Sequence, residues 1–455
     1  MVLAFNSIHF LLYFLPFFML GYYLTPAKAK NFVLLAGSLV FYTCGEPWYV
    51  LLLVMSVLLN FYSAKMIDRI KVQGDRRAVF LMTLFVDVGI LAFFKLSPFM
   101  QKWMGGEIAL PLGISFYTFQ ILSYLIDVYR REIPAEKSLI SFATYAAMFP
   151  QISSGPIVYY SEISGALHGR RVTLKDLDSG LKTFVYGLGI KILVADRLAI
   201  LWHELQTTGF VSISTPLAWL GAFSYSMQLY FDFYGYSLMA VGLGRMLGFK
   251  LPQNFNMPYM AKSIREFYRR WHMTLGRWFQ KYIYIPLGGS RRGLAVTLRN
   301  LLIVWLLTSF WHGAGAHFFF WGLGLCLFIM LERIMDMGGV LDRSKVFGHL
   351  YVLFVVPLTW VCFAIPDLGD LRTYFGRLFG FVAGVNVKAG DFLQALQNYG
   401  LYLLVGVLLC TPLPKKLFER FKNNFFGMVI LAILFWMCVD RIYSAGNNPF
   451  MYLRF

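Results

Sequence analysis

Long apolar runs alternate along the chain with short polar connections, most of them basic. About a dozen such runs can be marked, most long enough to cross a ~30 Å hydrocarbon core as a helix. Those near 7–24, 30–44, 46–64, 78–94 and 110–129 predict five successive spans. The run at 139–160 is interrupted by "FPQISSGP" and predicts a broken, re-entrant segment, since irregular backbone at membrane depth must line protein or water. Spans near 182–202 and 216–242 follow, then a hairpin over 300–331 broken at "HGAG", then spans near 347–366, 399–411 and 425–441. Between 245 and 299, Phe267, Trp271, Leu275, Trp278 and Tyr282 are spaced four, four, three and four apart. That spacing predicts one amphipathic helix lying at, or dipping from, a membrane face.

Composition agrees with the pattern. Of the 455 residues 58% are hydrophobic and 14% charged, against about 25% charged in soluble domains. The expectation is an all-α polytopic membrane protein with a single membrane domain over 1–455. The N-terminus lacks a basic region and a small-residue cleavage site, so a retained first helix is expected. The five cysteines form no CxxC pair, which argues against a metal site.

The net charge is +18, and the placement of Lys and Arg among the loops sets the topology. With the N-terminus outside, Lys65, Arg69, Lys71, Arg76 and Arg77 fall in the cytoplasm, as do Arg130, Arg131 and Lys137. Residues 245–299 form the most basic stretch, on the cytoplasmic side, and the tail 447–455 is placed outside. A multi-pass protein of the cell membrane, with both termini extracytoplasmic, is the result. Loop charge alone explains such an excess; a phosphorylated cytosolic ligand is the sharper explanation, and the two are compatible.

The run "LLTSFWHGAGAHFFFWGLGL" carries His312 and His317 in apolar surroundings. From Arg299 to His312 the helical rise is about 20 Å, past the middle of the hydrocarbon. A histidine there needs a partner or a job. The small residues behind it would let another group approach closely.

"PLGISFYTFQILSYLIDVYR", "FPQISSGPIVYY", "REFYRRWHMTLGRWFQKYIYIPLGGSRRG", "NLLIVWLLTSFWHGAGAHFFFWG" and "NNPFMYLRF" resemble, in this order, the bacterial membrane-bound O-acyltransferases. "YIPLGG" is similar to the branch that acetylates alginate, peptidoglycan and cellulose. The resemblance implies a ring of about eleven transmembrane helices with re-entrant and interfacial helices around a tunnel. It maps the family's invariant histidine onto His312 and its second onto His272 of "RRWH"; His317 is outside the signature. It also implies acetyl-CoA as donor substrate, no tightly bound cofactor, an exported polysaccharide as acceptor, and an extracytoplasmic SGNH-type partner. Membrane lipid is the only other partner expected, and no nucleic acid is.

A neutral imidazole suits removal of a hydroxyl proton as the oxygen attacks a thioester, and burial favours the neutral form. His312 is the candidate base. His272 either orients the thioester or faces headgroups. His317 is expected to be structural, and its five-residue gap from His312 is not the spacing of a helical zinc pair. Arg265, Arg269, Arg270 and Lys281, within the basic cluster at 262–292, are candidates for the phosphates of coenzyme A. There is no P-loop or GxGxxG. Carried over from the aromatic motif that ends a companion protein of teichoic acid D-alanylation, Tyr452 would be an acyl acceptor; an aromatic anchor for the last helix is the plainer alternative. D-Alanyl transfer from a carrier protein is the competing enzyme. A transporter would call for repeated halves, and none is evident.

Overall fold

The computed structural model describes residues 3–104, 109–153, 155–335, 337, 341 and 344–445, and every regular element among them is a helix. They are α1 (Leu15–Leu24), α2 (Lys30–Gly45), α3 (Tyr49–Arg69), α4 (Gln73–Met104), α5 (Ile114–Tyr129), α6 (Leu139–Ala147), α7 (Phe149–Ile152), α8 (Tyr160–Gly169), α9 (Leu174–Gly189) and α10 (Asp196–Thr208). Then come α11 (Thr215–Met246), α12 (Ile264–Arg270), α13 (Met273–Phe279), α14 (Leu294–His312), α15 (Ala316–Ile334), α16 (Lys345–Ala364), α17 (Leu368–Leu378), α18 (Asp391–Leu409), α19 (Pro412–Phe421) and α20 (Phe425–Ala445). Among the described residues seven helices are long and apolar enough to cross a membrane: α3, α4, α14, α15, α16, α18 and α20. Shorter apolar helices cover His9–Leu24 and Leu139–Ile152. The chain is a multi-pass membrane protein.

Two compact units can be distinguished. One gathers Met1–Leu188 with Tyr236–Gln253 and the stretch from Val439; the other gathers Gly189–Gly235 and Asn254–Cys438. In the first, Phe5, Phe10, Phe41 and Phe149 form an aromatic centre, with Phe5–Phe10 and Phe41–Phe149 centroids 5.1 and 5.7 Å apart. The interruption expected at "FPQISSGP" is there. Met148 turns extended between α6 and α7, Pro150 sits in the first turn of α7, and the Tyr145 hydroxyl donates to the Val158 carbonyl at 2.9 Å across the break. Gly113 lies before α5 at φ 66°, where a Cβ would come within 1.8 Å of the Ile152 carbonyl oxygen, so only glycine fits.

In the second unit α14 and α15 form the expected hairpin. Their approach is close enough that a Cβ on Gly322 would meet Ser309 Oγ at 1.9 Å, the small-residue packing usual between membrane helices. A π-helical turn at Ile190–Ala195 precedes α10 and carries Lys191, whose Nζ lies 2.5 Å from Asp196 and 2.8 Å from Asp232 of α11. Lys191 and Asp232 are buried.

One expectation needs correcting. Phe267, Trp271, Leu275, Trp278 and Tyr282 are all buried, as their spacing suggested. They do not share one helix: α12 ends at Arg270 and α13 begins at Met273, with His272 in the left-handed region between them. Backbone bonds to a separate loop, described below, outcompete continuation of the helix.

Candidate active site

α14 delivers His312 at its last turn. Gly313 follows and donates to the Ser309 carbonyl at 3.2 Å, closing the helix. The residues expected to let another group approach do so, and the groups are the chain's own rings. A Cβ on Gly313 would meet Phe318 at 2.5 Å, and one on Gly315 would meet His317 at 2.5 Å. α15 then runs back beside α14 and presents Phe318 and Trp321.

His312 is buried in an aromatic enclosure. Trp311, Trp321 and Phe363 each meet its ring near edge-to-face, with centroids at 4.6, 4.8 and 5.2 Å. Such contacts fix the ring's plane more firmly than aliphatic packing would. Trp360, on α16 with Phe363, stacks on Trp321 at 5.7 Å.

His272 reaches the same cluster from a different stretch of chain. Trp311 touches both histidines, its ring centroid 4.6 Å from His312 and 6.2 Å from His272. His272 caps α13 from a left-handed backbone (φ 43°, ψ 52°), which costs a non-glycine residue about 1–2 kcal/mol. The surroundings hold it there: Met273 N–H donates to the Asn254 carbonyl at 2.8 Å and Asn256 N–H to the Arg270 carbonyl at 3.0 Å. The imidazole Nδ1 lies 3.1 Å from Asn254 Oδ1, and Phe233 of α11 packs edge-on at 4.8 Å. Burial pushes the His272 imidazole well below its usual pKa, into the neutral form.

His317 packs on Phe318, centroids 3.9 Å apart, and the Phe318 ring in turn lies 6.1 Å from that of His312. Tyr452 lies outside the described residues. The basic candidates lie on α12 and the turn after α13. Arg270 is held by Glu266 through two bonds of 2.6 and 3.0 Å, Arg269 is exposed, and Lys281 lies over the Tyr282 ring at 5.1 Å. Backbone N–H groups of Ile264 and Arg265 donate to buried Glu332 of α15, at 2.6 and 3.1 Å, so a carboxylate caps α12 from another helix. Among the described residues no cluster of three His, Cys, Asp or Glu could hold a metal.

Asn254, Trp311, Trp321, Glu332 and the Lys191–Asp232 pair do not stand out in the sequence pattern. The signal for Lys191 is its charge inside the apolar run "GIKILVAD", because ionisable groups in such runs are costly. Nothing local marks Asn254.

Residues 79–338 match the model of the membrane-bound O-acyltransferase family. The chain is 34% identical over 489 residues to the probable alginate O-acetylase AlgI of Pseudomonas putida, covering 100% of both chains. To the peptidoglycan O-acetyltransferase of Helicobacter pylori it is 34% identical, over 100% of this chain and 98% of that one. To the teichoic acid D-alanyltransferase of Bacillus subtilis it is 28% identical, over 47% of this chain and 56% of that one.

Proposed function

The chain belongs to the membrane-bound O-acyltransferase family and is an acyltransferase, and from that premise we propose that it moves an acetyl group from cytosolic acetyl-CoA to the hydroxyls of an exported polysaccharide. The observation that most supports this reading is the convergence of His312 and His272 on the Trp311 indole. Two imidazoles and apolar walls suit acyl transfer, which needs a proton acceptor and exclusion of water.

His312 is the base. It takes the proton of the attacking hydroxyl as the new C–O bond forms. The thioester C–S bond then breaks and the leaving thiolate receives that proton, so the base is regenerated. His272, neutral and held by Asn254, orients the thioester. Arg265, Arg269, Arg270 and Lys281 bind the donor's phosphates from the cytosolic side. At the outer mouth, Tyr452 takes the acetyl group and passes it to an SGNH-type partner that completes transfer to the polymer. Acetyl is preferred over D-alanyl because the two O-acetyl-transferring relatives match the whole chain, and the D-alanyltransferase about half of it.

The test is transfer by membranes carrying the protein, supplied with acetyl-labelled acetyl-CoA and, separately, with a D-alanyl-charged carrier. Label should leave acetyl-CoA in wild-type membranes and stay on it in His312→Ala membranes. Consumption of the carrier alone would overturn the donor assignment.

A further inference from the structure

Asn254 is buried beside His272, and its amide orientation is not ambiguous. Oδ1 accepts from the Thr274 backbone N–H at 3.3 Å and from the Thr274 hydroxyl at 2.8 Å. A flipped amide would point its NH2 at a backbone N–H, which can only donate, so the carbonyl oxygen must face this way. That oxygen also lies 3.1 Å from His272 Nδ1. A carbonyl oxygen cannot donate, so the proton in this contact belongs to Nδ1. Nε2 of the neutral ring then carries the lone pair.

The same residue holds the backbone. The Asn254 carbonyl accepts from Met273 N–H, directly after His272, while Asn256 N–H bonds the Arg270 carbonyl two residues before it. The left-handed turn at His272 is therefore bracketed on both sides by one short loop. Strained backbone persists only where its surroundings over-determine it, and such positions cluster at functional sites.

We infer that Asn254 is a positioning residue for His272: its side chain fixes the Nδ1–H tautomer and its main chain fixes the turn, so that Nε2 is presented as the accepting atom. The inference rests on the reading above in which His272 takes part in acyl transfer. An amide does not titrate, so Asn254 holds this tautomer at any pH at which the ring is neutral. The groups facing the ring include Phe233 of α11, Trp311 of α14 and the Asn254–Thr274 pair, none of which titrates near neutrality. On the adjoining elements Asp232 pairs with Lys191 and Arg270 with Glu266, and Arg269 of α12 is exposed; His312 packs on the same Trp311.

The experiment is steady-state acetyl transfer across pH by the full chain in proteoliposomes, with acetyl-CoA as donor. Variants are Asn254→Asp, Asn254→Leu, Thr274→Val and His272→Ala. Asn254→Asp keeps the acceptor for Nδ1–H and adds a negative charge. That favours imidazolium, so the neutral ring is lost at higher pH than in wild type. The acidic limb of kcat should move up by about one unit or more, with activity retained above it. Asn254→Leu should lower kcat about 10- to 100-fold, with the KM for acetyl-CoA within about twofold, as for loss of a ring-orienting partner. Thr274→Val is the milder change should the Asn254 variants fail to fold. It removes one bond to Oδ1 and should lower kcat a few-fold at nearly unchanged melting temperature. An inactive His272→Ala with an unmoved limb in Asn254→Asp and full kcat in Thr274→Val overturns the positioning role alone. A His272→Ala enzyme with half the wild-type rate or more overturns the reading of His272 beneath it.

Discussion

The imidazole of His312 meets the indole of Trp321 edge-to-face, with centroids 4.8 Å apart and ring planes at 82°. With Trp311 and Phe363 on its other sides, the imidazole is held in one orientation by rings from three helices. This enclosure is apolar, and a group placed in it is desolvated.

His312→Ala should therefore reduce acetyl transfer by at least 100-fold, the usual range for loss of a general base, while insertion and melting temperature stay close to wild type. His317→Ala, whose ring packs on Phe318, should keep its rate within about twofold in the same assay. Half the wild-type rate in His312→Ala would make that histidine structural.

Much of this site was legible in the sequence, and the boundary is informative. His312 and its helix break follow from one apolar run with glycines behind a histidine, because helix period and backbone freedom are local properties. The interruption at Pro150 was legible for the same reason. The turn at His272 was not. Periodicity over Phe267–Tyr282 favours one helix, and only bonds from Asn254 and Asn256, residues distant along the chain from α13, break it. Trp311 as the ring shared by two histidines 40 residues apart is likewise a tertiary fact.

The basic cluster is not uniform. Arg270 is engaged by Glu266 at 2.6 Å, whereas Arg269 is exposed on the same helix. Replacing Arg265, Arg269 and Arg270 together by alanine should raise the KM for acetyl-CoA about tenfold or more, near 1.4 kcal/mol, with kcat within about twofold. Arg269→Ala alone should account for more of that rise than Arg270→Ala. An unchanged KM in the triple variant would leave the cluster as a topology signal.

Lys191 supports the fold that carries the site. Its ammonium lies between Asp196 and Asp232, and Phe233, the residue after Asp232, packs on His272. Lys191→Met strands two carboxylates and should cost about 3–5 kcal/mol, read as a marked drop in melting temperature in detergent. Lys191→Met combined with Asp232→Asn should recover part of the loss. No recovery would mean that the lysine acts by packing rather than charge.

The proposed relay at the outer mouth concerns Tyr452. If acetyl passes through its phenolic oxygen, Tyr452→Phe keeps the ring and most of its packing area but loses the nucleophile, so transfer to the outside acceptor should stop. The oxygen must come within about 3–3.5 Å of the thioester carbonyl, a demand that an aromatic anchor does not have to meet. A second consequence separates chemistry from anchoring. Wild-type protein incubated with acetyl-CoA and no outside partner should accumulate an acetyl group on the C-terminal peptide, seen by mass spectrometry at Tyr452. His312→Ala should accumulate none, because the tyrosine is acylated only after its proton is removed. A Tyr452→Phe enzyme as active as wild type removes the relay and points to direct transfer onto a partner's hydroxyl.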